Sequence, residues 1–334
     1  MGNAVLNELL KEYEQIRIDN DLRLLDRKTV LYKSSPRLQE IEDELTATAI
    51  SISKLIISNN NSTHVSSLKK HISELTKEKE NLLKNLGKPK NYLLPNYLCN
   101  LCKDTGYILD GNISIMCNCL KQKLFNIKYN NSNLSNLDKE NFDTFNLKLY
   151  SDQVDEKKYG SNISPRENIE DIKNAACHFI DHVDEPETKN LIFSGNPGRG
   201  KTFLSNCIVN ELLKKGKTVL YQTAPVMLDN IIESMFNRNN IKESISDSLL
   251  NVDVLVIDDL GTETMNSMKF TELYKIINTR LLNQRGKITK TIISTNLDLQ
   301  SLYTTYDERL VSRFVGHYDV YHFFGDDIRF KLKL

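Results

Sequence analysis

Apolar and polar positions change rhythm along the chain. Across residues 1–90 Gly and Pro are nearly absent, and Leu38, Ile41, Leu45, Thr48, Ile52 and Leu55 recur in steps of three and four. After the polar run "SNNNST" the same spacing resumes at Leu68, Ile72, Leu75, Leu82 and Leu86. Such spacing keeps one side of a helix apolar, and two such helices joined by a short polar loop predict an antiparallel coiled-coil hairpin. Lys79 interrupts the second seam. Pro36 suits the first turn of the hairpin's first helix and separates it from an earlier helix over about residues 4–33. The Gly- and Pro-containing stretch "LGKPKNYLLPN" ends this helical region.

Residues 91–125 form a small cysteine-bearing module, and residues 126–165 an Asn-, Ser- and Asp-rich linker. Phe142 and Phe145 stand out in the linker as apolar anchors that would dock it on the C-terminal domain. From residue 166 to 334 helix and strand alternate: "NLIFSG", "TVLYQTA", "VDVLVIDDLG" and "KTIISTN" read as strands, with amphipathic helices between them. Short β-branched runs between such helices predict an α/β domain, a parallel sheet flanked by helices.

The 44 basic and 44 acidic residues cancel, so contact with nucleic acid needs a local patch rather than a global charge. No apolar run reaches membrane-span length, and the N-terminus is charged from residue 8, unlike a signal peptide. The expected location is cytoplasmic, with no membrane partner. In a reducing compartment the four cysteines packed between Cys99 and Cys119 point to metal rather than disulfides. Cys99-x2-Cys102 and Cys117-x-Cys119 flank an Asp110-Gly111 turn that would return the second pair to the first, and four thiolates close a tetrahedral Zn²⁺ site. An iron–sulfur cluster is the alternative. Such a closed site would shape a protein-binding surface. Cys177 and Cys207, on predicted helices, read as small core side chains.

The richest chemistry lies in "GNPGRGKTF", comprising Gly195, Asn196, Pro197, Gly198, Arg199, Gly200, Lys201, Thr202 and Phe203. It matches G-x-x-x-x-G-K-[ST] between a predicted strand and a predicted helix. Backbone N–H groups of such a loop wrap phosphates, Lys201 would reach the β- and γ-phosphates of ATP, and Thr202 would bind Mg²⁺. "VLVIDD" is an apolar strand ending in Asp258, which would hold the magnesium shell, and Asp259, which would polarise the attacking water. Two acids capping a turn is the plainer alternative. Asn296, at the tip of "TIISTN", could orient that water. In "DERLVSRF", Arg309 and Arg313 fall one helical turn apart if the segment is helical, and could reach a neighbouring subunit's nucleotide. Pairing with Asp307 and Glu308 is the alternative. Arg329 is a candidate to face the phosphates within the same chain.

Taken in order, "GNPGRGKTFL", "VLVIDDLGTE", "IISTNL" and "DERLVSRF" resemble the AAA+ ATPase domain of DnaC/DnaI-type bacterial replicative helicase loaders, kin of the IstB transposition ATPases. "ENFDTFNL" and "FFGDDIR" share that look, and the resemblance covers residues from about 140 to 334. It implies a P-loop AAA+ fold, with Gly195 to Thr202 as Walker A, Asp258 and Asp259 as Walker B, and Asn296 as sensor I. Arg309 or Arg313 becomes an arginine finger, and Arg329 a sensor-II-like residue. Little chain follows the last of these, so a large helical lid is not expected. Members of the family usually place Glu where Asp259 stands, which points to slow or partner-gated hydrolysis. The implied function is ATP-dependent loading of a DnaB-type replicative helicase onto single-stranded DNA by a homo-oligomer. Residues 1 to about 125 would grip the helicase. An IstB-like transposition ATPase is the alternative reading. For single-strand contact the candidates are Met227, Met235, Phe236 and Arg238, although Met and Phe on a helix also serve cores.

Overall fold

A computed structural model describes residues 2–57, 62–130, 134, 136–236, 245–282 and 287–331. The chain divides into two compact units, residues 6–115 and residues 116–334, with the first five residues counted in the latter. No helix among the described residues is long and apolar enough to cross a membrane.

The helical unit contains α1 (Gly2–Ser34), α2 (Pro36–Ile57) and α3 (Ser62–Asn85). Residues 58–61 of the expected polar loop lie outside the described residues. The Arg37–Glu78 ion pair and the approach of His71 to Glu44 run in opposite directions along α2 and α3, as an antiparallel hairpin requires. Lys79, the expected interruption of the seam, has a partner: its Nζ donates to Glu42 at 2.5 Å. The same carboxylate accepts from Lys28 at 2.7 Å and from the Tyr32 hydroxyl at 2.5 Å. At the far end the seam departs from the expected one, using a residue three positions earlier. Leu86 is 38% exposed, whereas Leu83 is fully buried with Leu31, Leu38 and Leu93. Helix α1 supplies Leu31, and this third element draws Leu83 inward in place of Leu86. A short sheet, β1 (Tyr107–Asp110) paired with β2 (Ile113–Met116), completes this unit's regular elements.

In the second unit come α4 (Asn118–Phe125), α5 (Glu156–Tyr159), α6 (Pro165–Asp181), β3 (Asn190–Ser194), α7 (Lys201–Lys214), β4 (Val219–Thr223), α8 (Ala224–Phe236) and α9 (Ile245–Asn251). After these come β5 (Val254–Leu260), α10 (Ser267–Leu281), β6 (Lys290–Thr295), α11 (Leu299–Thr305), α12 (Glu308–His317) and β7 (Tyr318–His322). The sheet runs β4-β5-β6-β3-β7, and every pairing is parallel. This is the P-loop AAA+ architecture expected from the sequence.

Along β5 the alternation sends Leu255 and Ile257 into one core and Val254 and Val256 into the other. Both faces are covered, so the strands read as near-continuous apolar runs. Helix α6 starts where Ser164 caps the Glu167 N–H and Pro165 fixes the first turn. Edge strand β4 is covered by α4, whose Gln122 amide donates to the Val219 carbonyl at 2.9 Å and accepts from its N–H at 2.6 Å. The side chain thus completes the ladder as a neighbouring strand would. In the linker, Leu137, Phe142, Phe145 and Leu147 pack against the core beneath α6 and α7.

Strand β7 has no counterpart in the sequence reading. It follows α12 directly, with no connecting loop, and "YDVYH" carries Asp319 and mostly half-buried side chains on the sheet's edge. It bears on the site, because pairing with β3 from Asn190↔Tyr318 to Ser194↔His322 delivers residues 323–329 to the loop after β3.

Candidate functional site

The loop from Gly195 to Gly200 joins β3 to α7, at the carboxyl ends of the strands where open α/β sheets bind ligands. Two glycines are dictated by space. Gly195 has φ +129° and a Cβ there would strike the Phe323 carbonyl; Gly200 has φ +94° and a Cβ there would strike the Tyr150 hydroxyl. The loop is held from outside by Tyr150, whose hydroxyl donates to the Arg199 carbonyl at 3.2 Å, and by the Ile328 N–H, which donates to the Gly198 carbonyl at 2.9 Å. Arg199 donates to the Phe323 carbonyl at 3.1 Å. Phe203, on α7, meets Phe145 edge-on at 5.7 Å.

Lys201 is buried, and its ammonium bonds the carbonyls of Gly195 and Asn196 and the Asn296 Oδ1, the last at 2.8 Å. Burial pulls its pKa down to about 8, against the opposing pull of Asp259 and Asp258. A cation bonded only to carbonyls, beside the backbone N–H groups of a loop and a helix start, suits an incoming phosphate. Thr202 donates to Asp258 Oδ2 at 3.2 Å, which brings the two expected magnesium residues together. Their hard oxygen donors fit Mg²⁺.

Asp258 is held further by two residues that the sequence reading missed. Tyr221, on β4, donates to its Oδ2 at 2.7 Å, and Ser294, on β6, donates to its Oδ1. Their signal was positional: each stands near the carboxyl end of a strand adjacent to β5, Tyr221 two residues before the end of β4 and Ser294 two before Asn296. Asp259 sits in a β-bulge where pairing shifts between Ile257 and Leu260, with φ +55°. Its N–H donates to Ser294 Oγ at 3.1 Å. That left-handed conformation tolerates Asp better than most side chains. Burial and the Asp258 charge push the Asp259 carboxyl up.

Arg329 lies with this loop, paired to Asp327 at 2.8 Å, and the Asp327 carboxyl rests against Gly198. Another unanticipated pair, Ser194 Oγ and His322 Nδ1, sits 3.1 Å apart at the start of the loop. Arg309 and Arg313 are not brought to it. Both ride on α12, where Arg309 pairs with Asp307 at 2.9 Å and stands over the Tyr274 ring, and Arg313 donates to Asn278 at 3.0 Å. Met227 is core, Met235 and Phe236 are exposed, and Arg238 lies outside the described residues. Cys207 is fully buried and Cys177 partly so.

The sulfurs of Cys99, Cys102, Cys117 and Cys119 all lie within 4.8 Å of one another. A tetrahedral ion with bonds of about 2.3 Å sets thiolates about 3.8 Å apart, so four soft donors at this spacing fit one metal ion. Asp104 orders the first pair's loop by accepting from the N–H groups of Leu98 at 3.0 Å and Cys99 at 2.7 Å.

A parallel sheet, a phosphate-cradling loop and an acid-tipped neighbouring strand define a P-loop ATP-binding protein. The chain belongs to the IstB-like ATP binding protein family, whose profile matches residues 149–334. Among curated proteins it is 32% identical over 150 residues to the replicative helicase loader DnaC of Escherichia coli (strain K12), covering 44% of this chain and 60% of that one. It is 35% identical over 125 residues to the DnaC loader of Buchnera aphidicola subsp. Baizongia pistaciae (strain Bp), covering 37% and 49%. The chain thus spans 60% or less of the length of these relatives. Among solved structures, a DnaC helicase loader shares 23% identity at TM-score 0.42, over 54% of this chain and 96% of that one. A DnaI structure shares 24% at 0.41, over 50% and 86%.

Proposed function

We propose that this chain is an ATPase that loads a DnaB-type replicative helicase onto single-stranded DNA in the cytoplasm, with ATP binding and hydrolysis switching assembly and release. The observation carrying this reading is the linkage at the strand tips, Lys201 to Asn296 and Thr202 to Asp258, in a chain with curated relatives that are named helicase loaders. In the proposal the N–H groups of Gly195 to Thr202 bind the ATP phosphates and Lys201 neutralises the terminal ones. Thr202 and Asp258 hold Mg²⁺, which when bound neutralises phosphate charge. Asp259 polarises the attacking water and Asn296 orients it. Arg329 acts in cis. Arg309 or Arg313 acts on the nucleotide of a second copy of the chain, which requires release from Asp307 or Asn278.

Residues 1–90 and the module over 91–125 are assigned to helicase binding, with Cys99, Cys102, Cys117 and Cys119 holding Zn²⁺, the linker over 126–165, and the ATPase over 166–334. The four-thiol set serves structure, because all ligand positions are filled. The alternative, an IstB-like transposition ATPase, draws on the family match.

The test mixes full-length chain with the replicative helicase of the same cell and primed single-stranded DNA. A complex that forms with ATP and Mg²⁺, leaves helicase on the DNA, and is lost in Lys201→Ala supports loading. No complex under any nucleotide condition, or binding instead to duplex DNA and a transposase, overturns it.

A further inference from the structure

Asp258 is 4% exposed and accepts hydrogen bonds at both oxygens. Oδ2 receives the Tyr221 hydroxyl at 2.7 Å and the Thr202 hydroxyl at 3.2 Å. Oδ1 receives the Ser294 hydroxyl and, at 3.2 Å, the N–H of Asp259. Two donors at each oxygen hold the carboxylate in one orientation. Tyr221 and Ser294 reach it from the two strands flanking β5, and both are almost wholly buried. They enclose the carboxylate from opposite sides and leave it little freedom to rotate.

We infer that Tyr221 and Ser294 are positioning residues that fix the Asp258 carboxylate so that the nucleotide site selects Mg²⁺ over Ca²⁺. The inference rests on the nucleotide reading above. Ca²⁺ accepts six to eight ligands and often takes a carboxylate through both oxygens, whereas Mg²⁺ keeps a small octahedral shell with several waters. A carboxylate pinned at both oxygens cannot turn to grip an ion with both. It still supports the compact shell through the oxygen shared with Thr202.

The experiment titrates Mg²⁺ and Ca²⁺ against binding of a fluorescent, non-hydrolysable ATP analogue to the full chain, so the readout is metal affinity rather than turnover. In the wild type, Mg²⁺ should support binding at lower concentration than Ca²⁺. Tyr221→Phe keeps the ring and removes only the donor; it should raise the Mg²⁺ requirement about tenfold, as loss of a hydrogen bond to a charged group does. The Ca²⁺ requirement should change less, so the preference narrows. Ser294→Ala should behave likewise and Ser294→Thr should restore the wild-type ratio, which a purely structural role for these hydroxyls does not predict. An unchanged Mg²⁺ to Ca²⁺ ratio in both Tyr221→Phe and Ser294→Ala overturns the inference while leaving nucleotide binding intact. A wild-type chain with no metal-dependent binding overturns the nucleotide reading, and this inference with it.

Discussion

Glu42, in the helical hairpin, and Asp258, at the nucleotide end of the sheet, are both carboxylates that accept a tyrosine hydroxyl, and they differ in what else surrounds them. Glu42 also takes two ammonium groups, Lys28 at 2.7 Å and Lys79 at 2.5 Å. Asp258 takes only neutral donors, the hydroxyls of Thr202, Tyr221 and Ser294 and a backbone N–H. The nearby cation Lys201 gives its hydrogen bonds to two carbonyls and Asn296 instead. In the Glu42 cluster two ammonium groups fully compensate the carboxylate, and with Tyr32 they join three helices. Asp258 is fixed in direction while its charge has no directly bonded cation among the described residues, and that charge is available to a metal. On the proposed function, charge compensation by bonded cations, more than burial or bond count, separates the structural carboxylate from the metal-binding one.

The contrast breaks first by exchanging amides for the two acids. Asp258→Asn should remove metal-dependent nucleotide binding almost completely, a loss of at least about a hundredfold in line with losing the charged partner of a divalent ion. Glu42→Gln should leave that binding at the wild-type level. If fluorescent-nucleotide titrations show Glu42→Gln weakened as strongly as Asp258→Asn, the division into structural and functional carboxylates is wrong.

A second comparison sits within the hairpin. Leu83→Ala, which empties a fully buried position, should destabilise the helical unit by about 3 kcal/mol, whereas Leu86→Ala should cost less than about 0.5 kcal/mol. Denaturation followed by helical circular dichroism checks both, and equal effects would restore the seam as the sequence spacing drew it.

That pair shows where the sequence was readable and where it was not. Three-and-four spacing established that α2 and α3 are helices with a shared seam, because periodicity depends only on local geometry. It could not choose Leu83 over Leu86, because the choice belongs to Leu31 on a different helix. The same holds at the candidate site. Gly195 to Thr202, Asp258 and Asn296 were legible, since a loop that wraps phosphate and strands that end in acid or amide leave fixed spacings. Tyr221 and Ser294 were not, because their importance arises from strand order: β4 and β6 flank β5 only once the sheet has assembled. Strand β7 escaped for a related reason, since an edge strand with half-buried faces carries little apolar signal. Asp327 is found against the loop only because β7 delivers it there.

The smallest expected effect concerns pH. Burial alone would raise the Glu42 carboxyl, but hydrogen bonds from Lys28, Lys79 and Tyr32 bring it down to about 2 from 4.5. A carboxyl whose pKa is depressed on folding adds stability above its unfolded value and loses it as pH falls toward the folded value. The hairpin should therefore weaken between pH 4.5 and about 2. Glu42→Gln, less stable by about 2 kcal/mol at neutral pH, should lack this cluster's share of the acid loss. Hydrogen exchange at amides of α2 and α3 isolates the hairpin from the rest of the chain. On lowering pH from about 6 to about 3, after correction for intrinsic exchange rates, protection should fall more in the wild type than in Glu42→Gln. Parallel decline in the two proteins would mean that the lysines and Tyr32 surround Glu42 without holding the hairpin through its charge.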